Sequence, residues 1–137
     1  MTVDSTVDRE QDSSNGSVTM TELPDGRLIR VVGDLGPDTV PGLRTALAAA
    51  RAAHTWIIVD LSMAAAVDRV ALNTLVAGSY ATRRGGRELL LVVPPDLRRT
   101  VVHAARLGSA FTTFPTVPRA LSAATAGAGS RGGPARR

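Results

Sequence analysis

The sequence predicts an α/β fold: a sandwich with a mixed, mostly parallel sheet of about five strands and about four helices. Short continuous apolar runs, typical of buried central strands, alternate along the chain with segments whose apolar residues recur at helical spacing. The chain also begins with two β-prone segments joined by a Pro-Asp-Gly turn, which adds an antiparallel edge to the sheet. The predicted order of elements is β-β-α-β-α-β-α-β-α.

The first half of the chain predicts a hairpin, a helix and a buried strand. The hairpin strands are SVTMTEL and RLIRVVG, joined by a turn in which Pro24 presets φ and Gly26 accepts a positive φ. The helix has Asp38 as its N-cap and Pro41 in its first turn, where no N–H group is needed. The run TWIIVDL then predicts a buried central strand. The apolar face of the helix is predicted to be Val40, Leu43, Leu47 and Ala50.

The second half predicts three helices and two strands. The second helix begins after Asp68 and ends at Gly85 and Gly86. The buried strand ELLLVV follows, and Asp96 is predicted to cap the third helix. A short strand near AFTTF and a last helix from about Pro115 complete the domain. The predicted apolar faces are Leu72, Leu75, Val76 and Tyr80 in the second helix and Leu97, Val101 and Ala105 in the third.

The 137 residues suit one domain with a tail at each end. Residues 1–16 carry four acidic residues and one Arg, a net charge of −3, and residues 126–137 are mostly Gly, Ala and Arg with a net charge of +3. Neither segment has enough large apolar side chains to offset its ordering entropy, so we predict that both are flexible. Residues 17–125 form the predicted domain, which is long enough for one hydrophobic core.

The sequence offers no catalytic or metal-binding constellation. There is no Cys, and His54 and His103 lie on different predicted elements without ligand spacing. Ser79 lies inside a predicted helix and lacks one Gly of the nucleophile elbow. The pair Gly85-Gly86 precedes a strand, whereas phosphate loops precede a helix. We therefore predict no enzyme activity, no metal and no cofactor.

Charge and hydropathy exclude two further classes of partner. All sixteen basic residues are Arg, but aromatic residues are 3% of the chain, so bases would find few stacking platforms and we predict no nucleic-acid binding. No apolar run approaches twenty residues, which predicts no membrane span. The first residues lack the basic and apolar segments of a signal peptide, so the cytoplasm is the expected location.

The turn at Asp68 is the candidate site. It joins an apolar run to a helix, and α/β folds place their sites at such turns on the open end of a parallel sheet. Asp68 is also a good N-cap, because its carboxylate accepts from the first helical N–H groups. Asp68 can therefore cap the helix and also belong to a functional site.

Four segments, in order and spacing, resemble the STAS domain, the module of bacterial anti-sigma factor antagonists. The family's G-E-L-D-like segment corresponds to Gly33–Leu47, its D-L-S strand end to Asp60–Ser62, its D-S-S-G-L helix start to Asp68–Leu72 and its F-P-x-x-P-S-like end to Phe111–Leu121. The resemblance implies a STAS-like sandwich over nearly the whole predicted domain.

The departures from the family pattern concern its regulatory switch. In regulated members a partner kinase phosphorylates the second Ser of D-S-S-G-L, and Val70 stands at that position. The first Ser corresponds to Arg69, the Gly to Ala71, and the final Asp of G-E-L-D to Gly36. The resemblance therefore implies that the phospho-switch is missing, and we expect neither Thr74 nor Ser62 to replace it.

The resemblance implies a non-enzymatic regulator that binds an anti-sigma factor of the serine-kinase-like, ATP-binding type and releases a sigma factor. Two alternatives stay open: a cytosolic subunit of an ABC-type lipid transporter, and a divergent scaffold that is not phosphorylated. The sequence leaves monomer and homodimer open. The expected partner-binding residues lie at the starts of the first and second helices: Asp34, Gly36, Asp38, Asp68, Arg69 and Val70.

Overall fold

The computed structural model describes residues 16–53, 56–104 and 112–132. In these residues five strands form one sheet in the order β1-β2-β3-β4-β5, and four helices pack on it, which confirms the predicted α/β class. β1 is antiparallel to β2, and the other pairs are parallel. The strands are β1 Gly16–Leu23, β2 Gly26–Leu35, β3 Trp56–Val67, β4 Leu89–Val92 and β5 Thr112–Phe114. The helices are α1 Val40–Ala52, α2 Arg69–Arg84, α3 Pro95–Ala104 and α4 Val117–Gly132.

Each face of the sheet buries its own apolar cluster. The larger cluster lies between the sheet and α1, α2 and α3, and it includes the first-helix face predicted from the sequence. The smaller cluster packs α4 through Ala120 and Ala124 against Leu28, Trp56 and Ile58. In the described part of the chain, no helix is long and apolar enough to cross a bilayer.

β3 is longer than predicted, and it carries two bulges where it pairs with β2. Arg30 pairs with Asp60, but Val32 pairs with Met63, so β3 carries an extra residue there. Asp60 is buried; its Oδ1 accepts from the Ser62 N–H at 2.9 Å and its Oδ2 from the Arg30 Nε at 3.0 Å. The D-L-S segment is therefore a bulge held by Asp60, not the end of the strand.

A second bulge brings β3 to the start of α2. Gly33 pairs with Ala64 and Asp34 pairs with Ala66, so β3 again carries an extra residue. Gly33 has a φ of +86°, a conformation that costs an L side chain roughly 1–2 kcal/mol. The backbone conformation thus explains why a glycine stands at this position of the family-like segment.

Several local expectations were wrong in detail. Gly26 lacks a positive φ; it is required instead because a Cβ there would overlap the Trp56 ring. The N-cap of α1 is Thr39 rather than Asp38, and α3 begins at Pro95, with Asp96 inside its first turn. Tyr80, which was predicted to lie on the apolar face of the second helix, is 37% exposed.

Some sequence expectations fall partly or wholly outside the described residues. Residues 126–132 of the predicted C-terminal tail lie in α4, whereas residues 1–15 and 133–137 are not described. His54, Ala105 and the side chain of His103 are also outside them. Within the described residues, no group of three His, Cys, Asp or Glu side chains is placed to hold a metal ion.

Candidate functional site

The end of β2 and the start of α2 meet in a small depression, which we call the acidic hollow. The Asp68 N–H donates to the Leu35 carbonyl at 3.0 Å, and a Cβ on Gly36 would lie 3.6 Å from the Asp68 Oδ2. The hollow has a volume of about 230 Å³, and three carboxylates border it. It is lined by Asp34, Leu35, Gly36, Pro37, Asp38, Thr39, Ala66 and Asp68.

Thr39 shapes the β2–α1 side of the hollow. Its side chain is 2% exposed, and its Oγ1 accepts from the Gly36 N–H at 2.9 Å. The same hydroxyl lies 3.1 Å from the Gly36 carbonyl and 3.3 Å from that of Asp34, to either of which it can donate. The Gly36 carbonyl also accepts from the Val40 N–H at 2.9 Å. These bonds fix the loop that contains Asp38 and tie it to Asp34 at the end of β2.

Asp68 fixes the other side of the hollow by capping α2. Its backbone is extended, with φ −89° and ψ 175°, and its Oδ1 accepts from the Ala71 N–H at 2.9 Å. This confirms the predicted cap. An anionic cap is also favoured by the positive end of the helix dipole.

Arg69 and Val70 follow the cap and are both exposed. Val70 is 51% exposed, so the first turn of α2 presents an apolar side chain directly after the acidic hollow. The structure therefore brings four of the six predicted residues together in the hollow: Asp34, Gly36, Asp38 and Asp68. Arg69 and Val70 lie outside its lining, on the adjoining helix surface.

The two hydroxyl residues nearest the turn differ in accessibility. Thr74 is 8% exposed, and its Oγ1 donates to the Val70 carbonyl at 3.0 Å. Ser62 is exposed, but it lies at the first bulge of β3, six residues before the Asp68 cap.

A second depression, which we call the basic groove, runs between α1 and α2. Its volume is about 430 Å³. Arg44 and Arg51 on α1 and Arg84 on α2 border it, and none of the three forms an ion pair with a described residue. The remaining lining is mostly small or apolar: Leu47, Val70, Asn73, Thr74, Ala77, Gly78 and Ala81.

The sequence interpretation missed Thr39 and the basic groove, although the sequence carries signals for both. Thr is a preferred N-cap residue, and Thr39 stands directly before Val40. Arg44 and Arg51 are seven residues apart, which places them on one helix face two turns apart. Neither α1 nor α2 contains an acidic residue, whereas together they hold five Arg.

Comparison with known families decides what kind of domain carries this site. The STAS domain profile matches residues 17–120, most of the chain. The chain belongs to the STAS domain family. No curated protein sequence matches this STAS domain significantly.

Solved structures share its fold. An anti-sigma factor antagonist from Mycobacterium paratuberculosis is 22% identical, with a TM-score of 0.71 over 81% of this chain and 95% of that one. The unphosphorylated form of the anti-sigma factor antagonist SpoIIAA, a Bacillus protein, is 14% identical, with a TM-score of 0.64 over 81% of this chain and 99% of that one.

A membrane transporter contains the same fold as one part of its chain. The murine anion transporter Slc26a9 is 16% identical, with a TM-score of 0.62 over 82% of this chain and 22% of that one. At these identities each likeness shows a shared fold only. They do not identify the partner of this STAS domain.

Proposed function

We propose that this STAS domain is a non-enzymatic regulator in the cytoplasm that binds an anti-sigma factor of the kinase-like, ATP-binding type. The proposed interface comprises Asp34, Gly36, Asp38, Asp68, Arg69 and Val70. The observation that carries the proposal is Val70, an exposed apolar side chain that follows the acidic hollow by two residues. The family resemblance assigns to this position the phosphorylated Ser of regulated members.

The chemistry of this surface suits a protein partner. Val70 supplies an apolar contact, because a partner that covers this exposed side chain removes its apolar surface from water. The carboxylates of Asp34, Asp38 and Asp68 border a hollow that suits a basic side chain, because charge-assisted hydrogen bonds to carboxylates are strong. The hydrogen bonds of Thr39 and the Asp68 cap hold this surface in shape before the partner arrives.

The same residues support regulation without phosphorylation at this turn. Val70 has no hydroxyl, and the Thr74 hydroxyl is buried and bonded to the backbone. A phosphate at the family position would lie near the free N–H groups of α2 and would add close to two negative charges beside the hollow. Without it, the partner is bound constitutively or released by another signal.

The partner is tested by affinity capture with matched variants. The tagged chain is incubated in native lysate beside Val70→Asp and Val32→Asp. Val32 is 42% exposed on β2 and lies outside both the hollow and the groove, so it controls for the added charge. We expect a kinase-like anti-sigma factor with the wild type and with Val32→Asp, and at least about tenfold less with Val70→Asp.

The same capture separates the alternatives. Recovery of an ATPase subunit of a lipid transporter would replace the anti-sigma factor with the second candidate, which the missing Ser also permits. Equal capture of the anti-sigma factor by Val70→Asp would contradict the proposed interface. Capture of neither partner would leave the scaffold hypothesis.

The missing switch is tested with the captured partner and ATP. No phosphate is expected on the wild-type segment 68–75, whereas Val70→Ser is expected to become a substrate while keeping its fold. A phosphopeptide carrying phosphate on Thr74 would contradict the proposal. A Val70→Ser chain that binds the kinase but stays unmodified would show that kinase recognition has diverged as well.

A further inference from the structure

The basic groove has no role in the proposed interface except at Val70, which it shares. Its walls carry Arg44, Arg51 and Arg84, and these side chains have no ion-pair partner among the described residues. Its floor contains Leu47, which is 2% exposed. Unpaired cations over an apolar floor suit an acidic peptide with a few apolar side chains.

The chain contains one segment of that chemistry. Residues 1–15, outside the described residues, have the sequence MTVDSTVDREQDSSN, with four acidic residues, one Arg and a net charge of −3. Val3 and Val7 stand beside Asp4 and Asp8. The segment therefore complements the groove in both charge and apolar content.

Length and attachment allow this segment to reach the groove. It joins β1 at Gly16, and α1 packs between β1 and α2, since Gly42 of α1 faces Val18 of β1. Fifteen extended residues span up to about 50 Å, whereas a helix with its side chains is about 10–12 Å wide. The segment is long enough to cross α1.

The extended length of the acidic segment also matches the length of the groove. Asp4 to Asp12 spans up to about 28 Å when extended, and Val70 to Arg84 along α2 spans about 21 Å. Near the attachment point, Asp34 and Asp38 repel the acidic segment, so electrostatics favour the groove over the hollow.

We propose that residues 4–12 of the acidic N-terminal segment dock in the basic groove of the same chain and cover Val70. Exposed ion pairs are individually weak, so docking depends on the high effective concentration of a tethered segment and is readily displaced. The groove is thereby a regulatory surface, because a docked segment and a partner at Val70 exclude each other. Docking itself is independent of the identity of the partner.

The test uses the full chain, which contains no Cys. Thr6→Cys places a nitroxide label between Asp4 and Asp8, and amide signals are recorded by NMR at about 0.01 M and about 1 M salt, where the Debye lengths are about 30 Å and 3 Å. We expect paramagnetic broadening of Val70, Asn73 and Ala77 at low salt and its loss at high salt. The amides of Ala120 and Ala124, on the opposite face, should remain sharp.

Charge variants identify the contact. Arg44→Glu with Arg51→Glu should lower the equilibrium constant for docking about tenfold, whereas Arg119→Glu on α4, an exposed Arg on the opposite face, should leave it unchanged. A second variant replaces four acidic residues by their amides: Asp4, Asp8, Glu10 and Asp12. It should lose docking to the same extent without altering the folded domain, so the test remains valid even if the double Arg variant unfolds.

Three results would overturn the inference. Broadening confined to residues near Gly16 would mean that the segment does not reach the groove. Broadening that persists in the charge variants would mean that the arginines do not hold it. Broadening of unlabelled chains mixed with labelled ones would mean that the groove receives the segment of another copy.

Discussion

The acidic hollow lies just before the N-terminal ends of α1 and α2, and the basic groove runs between the same two helices, yet different forces form them. The hollow is shaped by hydrogen bonds that the Thr39 Oγ1 and the Asp68 Oδ1 accept from backbone N–H groups of the loop and of α2. The groove is formed by packing: a Cβ on Gly78 would stand 3.0 Å from the Leu47 Cδ1, so the two helices are in close contact. Mutations in the hollow should therefore have mainly local effects, whereas mutations in the groove floor should lower the stability of the whole domain.

The largest expected effect comes from the groove floor. Leu47→Ala removes a buried side chain from the larger core and should lower the free energy of unfolding by about 3 kcal/mol, within the usual 2–5. Urea unfolding measures it. Thr45→Ala, exposed on the same helix, should stay within about 0.5 kcal/mol. Equal effects of the two changes would show that the floor is not part of the core.

An intermediate effect is expected at the first bulge of β3, which Asp60 holds. Asp60→Ala removes the acceptor of the Ser62 N–H and the partner of Arg30, and it should cost about 2 kcal/mol. Asp60→Asn keeps an oxygen for Ser62 and should recover part of the loss. Denaturant unfolding compares them, and a fully stable Asp60→Ala chain would exclude this role.

The smallest expected effect is at the hollow itself. Asp68→Ala removes the side-chain cap of α2 and should cost about 1 kcal/mol, within 0.5–2. Asp68→Asn retains the capping oxygen without the charge and should stay within a few tenths of a kcal/mol of the wild type. Thermal unfolding, with the Ala71 amide shift as a local probe, measures both. If Asn were as damaging as Ala, the charge rather than the cap bond would stabilise this end.

Local patterns were reliable where the determining contacts are local. The order of elements followed from alternating apolar runs and helical spacing, and the Asp68 cap bonds to a residue only three positions away. The expectations for Gly26 and Tyr80 failed because distant parts of the chain decide them. Gly26 is needed for the ring of Trp56, thirty residues later, and Tyr80 lies outside the packed face of α2.

By itself, the sequence determined the α/β class, the STAS-like motif order and the Val at the family's phospho-acceptor position, because each is a property of neighbouring residues. Only the tertiary structure decided that Asp34 and Asp68 border one hollow, that two bulges carry β3 to it, and that Arg44 and Arg84 face one groove. These features join residues separated by thirty or more positions. Strand register and helix packing, which depend on the whole core, bring such residues together.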